Sequence, residues 1–307
     1  MNKPFRSINQ QIGILNRRGV TTDENTAQIL MREGYYAVVN GYGKAFLNTG
    51  ESRRSGDDQF IKGTTFNQIY QLYLFDRKLR SITFSAIMCV ESTLRSILAY
   101  TFTEQHRKAS AYLWRSSYTP ENEYIRGRQA HKGDLTWMID TLEHHARGHV
   151  EDEHEDVRPN ERVDWYRTHY EAVPLWVLFS DLTFGNLRYF FALMKRDEQK
   201  SVCNRMRSTC DTTHDGNTLA PLGMYHDLEA LSELRNACAH VERIYNGRFG
   251  TNPVMDFHQI SKTLMAYLAE DDEQEFLQSV QDLVDEYATS DDGVARALAL
   301  EGFVPAS

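Results

Sequence analysis

Arg235 and His240, five positions apart in Leu234-Arg235-Asn236-Ala237-Cys238-Ala239-His240, are the side chains of this sequence best suited to chemistry. Histidine titrates near neutrality and can serve as acid or base. Arginine keeps its charge and grips phosphate oxygens with two parallel N–H donors. A proton carrier next to a fixed cation suits displacement at a phosphate ester. The plain alternative is that Arg-x4-His arises by chance on many helices, where both side chains decorate the surface. On an ideal helix the two point about 140° apart, whereas Asn236 and His240, four apart, share a face. Convergence of Arg235 and His240 therefore requires the helix end to unwind or the side chains to curl.

Other residues carry weaker signals. Glu91 and Arg95 stand four apart, which on an exposed helix is a surface ion pair worth a few tenths of a kcal/mol. His145 and His149, with His144 and His154 nearby, have metal-ligand spacing, but the stretch lacks HExxH and reads better as a solvated connection. No metal and no cofactor is expected. Four cysteines, Cys89, Cys203, Cys210 and Cys238, form no CxxC pair and read as free thiols, with Cys238 a small inward-facing residue. Phe184, Tyr189, Phe190 and Phe191 read as core. Tyr35, Tyr36 and Tyr42, beside glycines, either pack a loop or stack on RNA.

The elements that must position these residues are helical. Thr21 and Glu24 have capping-box spacing, predicting a helix of about ten residues that stops near Gly34. The segment 34–43 reads as a turn or bend, and 48–63 as a loop. Thr65 and Gln68 form a second capping box. Leu79, Ile82, Ala86, Val90, Leu94 and Ile97 then recur every three or four residues, predicting a long core helix over 65–106, with a shorter helix ending near Phe75 before it. Residues 107–130 read as a loop, and 144–164 as a polar connection. Further helices are expected over 135–145, from Pro174 to Asp181, over 183–194, over 197–206, and from Pro221 to Val241, the last with Leu222, Tyr225, Leu228, Leu231 and Leu234 on one stripe. Two acidic amphipathic helices follow. No βαβ alternation and no repeat is present, so the class is all-α.

The 307 residues carry a net charge of −9, which at first argues against a nucleic-acid partner. The segment 270–301 alone holds eleven acidic residues and one arginine, leaving the rest near +1. Between Asp76 and Lys108 six basic residues face three acidic ones, so a local basic face is available. No apolar run approaches the roughly 20 residues needed to span a bilayer. A cytoplasmic protein without membrane attachment is expected. The acidic tail has two readings: a mimic of RNA on the basic cleft, or a solvated helix.

The motif R-N-x-x-x-H, present as Arg235 to His240, resembles that of the HEPN superfamily, and the wider pattern resembles its bacterial abortive-infection (Abi) branch. Gly34-Tyr35-Tyr36 with Asn40-Gly41-Tyr42, Phe60 to Phe66, Leu74 to Arg80, Val90 to Arg95, Pro174-Leu175-Trp176 with Leu182 to Leu187, and Leu234 to Asn246 follow the family order. The resemblance implies an all-α HEPN-type bundle with added N- and C-terminal helices. It divides into an N-terminal segment over 1–63, a helical core over 64–265 and an acidic tail over 266–307. It implies a metal-independent endoribonuclease, a toxin of antiphage defence, with His240 as general acid/base, Arg235 on the phosphate and Asn236 orienting substrate or the partner motif. Glu91 would orient Arg235, Arg95 would add charge, and Arg77, Arg80 and Arg243 would contact RNA. A homodimer bringing two motifs together is implied, as is an inhibitor, either a noncoding RNA or an antitoxin protein. The alternative is a non-catalytic RNA-binding, sensor or dimerisation module.

Overall fold

A computed structural model describes residues 4–120, 134–147, 160–210 and 220–304. Within them the regular structure is helical, and β pairing is limited to isolated bridges such as Thr21 with Thr65 and Leu47 with Phe60. The all-α class follows.

The chain forms two compact units. The first comprises Met1–Phe84, Ala237–Gly247 and Gln274–Ser307, and the second Ser85–Asn236 and Arg248–Glu273. This division differs from the three consecutive segments expected, because residues 274–307 belong with the N-terminal residues rather than to a separate tail.

In the first unit, α1 (Ile8–Arg17) packs against α2 (Thr26–Glu33). The cap of α2 is not the expected Thr21–Glu24 box. Asp23 accepts the amide of Thr26 at 2.9 Å, and the hydroxyl of Thr26 accepts the amide of Asp23 at 3.0 Å. Thr21 is instead drawn into the bridge with Thr65. The Gly/Tyr-rich stretch is more ordered than a bend: Tyr36–Asn40 is a π-helical turn, entered from Gly34 at φ +85°. The expected loop over 48–63 contains α3 (Thr49–Ser55), capped by Asn48.

Helix α4 (Phe66–Gln105) is one unbroken helix of 40 residues, with no separate helix ending near Phe75. Its start is the capping box read from the sequence: Thr65 N–H donates to Gln68 Oε1 at 3.0 Å and Gln68 N–H to Thr65 Oγ1 at 3.2 Å. Such a cap is worth about 1 kcal/mol. The periodic residues Leu79, Val90 and Leu94 are fully buried. A window of this helix is apolar enough, at mean hydropathy 1.4, to cross a membrane by length and composition. The sequence reading missed this because charges are spaced along the helix, and no unbroken apolar run betrays the window.

In the second unit, α5 (Asp134–Arg147) packs on α6 (Glu161–His169), α7 (Leu175–Leu178) and α8 (Phe184–Leu193). Thr183 caps α8 by accepting the amide of Asn186. Helices α9 (Arg196–Thr209), α10 (Pro221–Ala239) and α11 (Phe257–Met265) follow. The buried stripe of α10 runs through Met224, Tyr225, Leu228, Leu231 and Leu234, while Leu222, expected in it, is exposed. Three helices, not two, follow residue 253, since α12 (Glu270–Ser290) and α13 (Asp292–Leu300) come after α11. In the first unit, Phe276, Leu283, Val284 and Tyr287 of α12 are buried, Tyr287 lies edge-on to Phe75, and Lys78 pairs with Glu286 at 2.7 Å. The acidic segment is thus a packed part of its unit.

Candidate functional site

In the second unit, a carboxylate out of contact with solvent supports Arg235. The repeat that buries Val90, Leu94 and Leu98 of α4 also turns Glu91 inward, to 1 % exposure. Leu234 is fully buried on α10, and Arg235 follows it with its side chain 29 % exposed. Glu91 Oε2 lies 3.9 Å from Arg235 Nε, an ion-pair distance too long for a hydrogen bond. Glu91 Oε1 accepts from Arg95, and the same Arg95 nitrogen donates to the carbonyl of Leu182 at 2.8 Å. Two partly exposed guanidiniums therefore flank one buried carboxylate. The pair is not the surface decoration that its spacing alone suggests: an ion buried this deeply costs several kcal/mol to desolvate and needs its partners. Asn236 is exposed.

His240 belongs to the first unit, where α10 ends. Ala239 is the last helical residue, and His240 is exposed in the turn that follows. The helix closes in a Schellman arrangement. Glu242 N–H donates to Ala237 O at 2.9 Å and Val241 N–H to Cys238 O at 3.5 Å. The left-handed position usually held by glycine is occupied by Val241, at φ +61°. The helix ends within the motif, between Ala239 and His240.

Asp76 fixes the exit from this turn. It is fully buried on α4. Its Oδ1 accepts the amides of Ile244 at 3.1 Å and Tyr245 at 2.8 Å. Its Oδ2 accepts from the Tyr42 hydroxyl at 2.6 Å and from Arg80 at 2.5 Å. Arg80 also donates to the carbonyl of Glu242 at 3.3 Å, and Arg243 to that of Gly41 at 2.5 Å. The three residues Glu242, Ile244 and Tyr245 are thus tied to one buried ion pair. Sequence reasoning gave Asp76 no role. The available signal was its spacing to Arg80, the same acid-x3-Arg pattern as Glu91 and Arg95 on the same helix.

Of the expected RNA contacts, Arg80 is corrected: at 4 % exposure and paired with Asp76, its guanidinium is committed to the interior. Arg77 is half-exposed, 3.7 Å from Glu33 and over the Tyr73 ring. Arg243 is exposed apart from its bond to Gly41. Burial pushes the Cys238 thiol up to about 12, so its thiolate is scarce at neutral pH and a nucleophilic role is unfavourable. His145 bonds Asp181 at 2.8 Å. His149 and His154 lie outside the described residues, among which no group of three or more potential ligands is placed to hold a metal. Phe184, Phe190 and Phe191 are buried, as expected of core, whereas Tyr189, read with them, is half-buried. Tyr42 is buried in the Asp76 network, whereas Tyr36 is 78 % exposed.

A family model described as Abi-like protein matches residues 28–246. That span runs from within α2 through α10 and includes Tyr42, Asp76, Glu91, Arg235 and His240. No curated protein and no solved structure matches the chain at a significant level.

Proposed function

Because the chain belongs to the Abi-like protein family, we propose that it is a metal-independent endoribonuclease of the HEPN type, acting as a toxin in abortive-infection defence. The observation that carries this reading is Glu91. A buried carboxylate held 3.9 Å from Arg235 and bonded to Arg95 is what a phosphate-gripping arginine needs for a fixed orientation. A surface arginine with no task needs no such support.

The reaction starts with removal of the 2′-hydroxyl proton by a histidine. The 2′-oxygen attacks the adjacent phosphorus, and the bond to the 5′-oxygen breaks as that oxygen takes a proton from a second histidine. The products are a 2′,3′-cyclic phosphate and a 5′-hydroxyl. His240 moves the protons, Arg235 takes the charge that builds on the phosphoryl oxygens, and Asn236 orients the strand. Arg77 and Arg243 add backbone contacts. One chain carries one such motif, so a two-fold dimer supplies the second histidine. A toxin of this kind works in the cytoplasm and requires an inhibitor, an RNA or a protein.

The test is incubation of purified protein with total RNA in EDTA, followed by sequencing of the ends. Cyclic-phosphate and 5′-hydroxyl ends are expected from the natural sequence and neither from Arg235→Ala nor from His240→Ala. Cleavage that survives both substitutions, or none from the natural sequence, overturns the reading. In cells, expression should arrest growth and His240→Ala should not.

A further inference from the structure

A cavity of about 960 Å³ opens in the first unit, with walls from the N-terminal segment, α1 and the Tyr36–Asn40 π-turn. That volume is typical of small-molecule sites. Short π-turns are uncommon and concentrate where function demands unusual geometry. The walls define what fits. Two aromatic side chains face outward, Tyr36 at 78 % and Phe5 at 91 % exposure. Arg6 and Lys44 are exposed, and neither has an ion-pair partner among the described residues. The acid on the wall, Asp58, is already met by Arg18 at 3.4 Å. Gln11, also on the wall, keeps a carboxamide oxygen with no hydrogen bond among the described residues, while its nitrogen donates to the Arg6 carbonyl at 2.9 Å.

We propose that this cavity binds a nucleotide unit, with its base stacked on Tyr36 or Phe5 and its phosphate between Arg6 and Lys44. Flat aromatic faces accept any base, because every base has a π-face. The two unneutralised cations select an anion in a chain whose overall charge is −9. An acidic peptide would leave the exposed rings unused. The unit has two possible sources, a free mononucleotide or one residue of single-stranded RNA. The site uses neither Arg235 nor His240, so it stands apart from the cleavage reading.

The experiment is calorimetric titration of the full chain carrying His240→Ala, so that any nuclease activity leaves the probes intact. The probes are adenosine 5′-monophosphate, a 5′-phosphorylated single-stranded RNA hexamer, adenosine and inorganic phosphate. Saturable binding of the nucleotide or the hexamer is expected, with adenosine and phosphate at least about tenfold weaker. Tyr36→Ala and Lys44→Glu should each weaken binding at least about tenfold, and Tyr36→Phe should restore it. Equal affinity for monophosphate and hexamer assigns a free nucleotide, and binding of the hexamer alone assigns a strand. No binding of either overturns the proposal. So does binding that survives both substitutions with the melting temperature unchanged. If Tyr36→Ala lowers that temperature, Lys44→Glu, an exposed position, decides alone. Failure here leaves RNA cleavage untouched, and failure of cleavage leaves these titrations readable.

Discussion

Asp76 accepts the backbone amide of Tyr245 at 2.8 Å, across 169 positions of sequence. With the amide of Ile244, the Tyr42 hydroxyl and Arg80 on the same carboxyl, it fixes the chain leaving His240. Asp76→Asn leaves the Arg80 guanidinium buried beside a neutral amide. Removing one member of a buried pair costs about 3–5 kcal/mol, and a loss of that order is expected in urea denaturation. Asp76→Asn with Arg80→Met should recover part of it, because the stranded charge is gone. Equal stability of the single variant and the natural sequence would show the pair to be ornamental.

Glu91→Gln removes the charge that faces two guanidiniums. If Glu91 orients Arg235, the rate of RNA cleavage should fall by at least about tenfold, equivalent to roughly 1.4 kcal/mol in the barrier. Binding of RNA should change far less, since both arginines remain. The comparison is made at matched folded fraction, and a cleavage rate equal to that of the natural sequence would refute the role.

Val241 holds a left-handed backbone, which a β-branched residue adopts at a cost of about 1–2 kcal/mol. Its side chain is 64 % exposed, so little packing is lost on truncation. Val241→Gly trades that cost against about 0.5–1 kcal/mol of backbone entropy. A net rise in stability of up to about 1.5 kcal/mol is expected, visible as a higher melting temperature. A drop would mean that the Val241 side chain has a role that its exposure hides.

Asp227 accepts from the Tyr267 hydroxyl at 2.7 Å. Burial pushes its carboxyl above the ordinary 3.8, and the Tyr267 hydrogen bond only partly offsets this. An acid with a raised folded-state pKa favours folding in its protonated form, and that preference is lost as pH rises through the folded value. Asp227→Asn keeps an acceptor for Tyr267 without the charge. The variant should be at least as stable as the natural sequence at pH 7, with the advantage shrinking as pH falls through the raised folded value and gone below about 4. An advantage that grows on acidification would contradict the assignment. Denaturation curves at several pH values decide.

Much of the helical layout was readable from local signals. The Thr65–Gln68 box, the spacing along α4 and the cap at Thr183 each act within a few residues. The motif Arg235 to His240 was readable for the same reason. What stayed hidden depends on distance in sequence. Glu91 looked like surface because spacing cannot tell an inward face from an outward one when both carry charge. Arg80 looked like an RNA contact because its partner Asp76 gains its value only from Ile244 and Tyr245. The π-turn at Tyr36–Asn40 was hidden by flanking glycines, which normally mark bends.

The way the first unit is stitched together governs when it can be completed. Its three pieces, residues 1–84, 237–247 and 274–307, are separated by stretches that belong elsewhere. During synthesis the N-terminal piece emerges long before its mates, with the apolar face around Phe75 uncovered until Tyr287 and Phe303 arrive. Contacts of such long range form slowly. A nascent chain halted anywhere before α12 therefore lacks a finished unit around His240. Under the cleavage reading proposed above, this order postpones the finished fold until nearly all of these residues have been made.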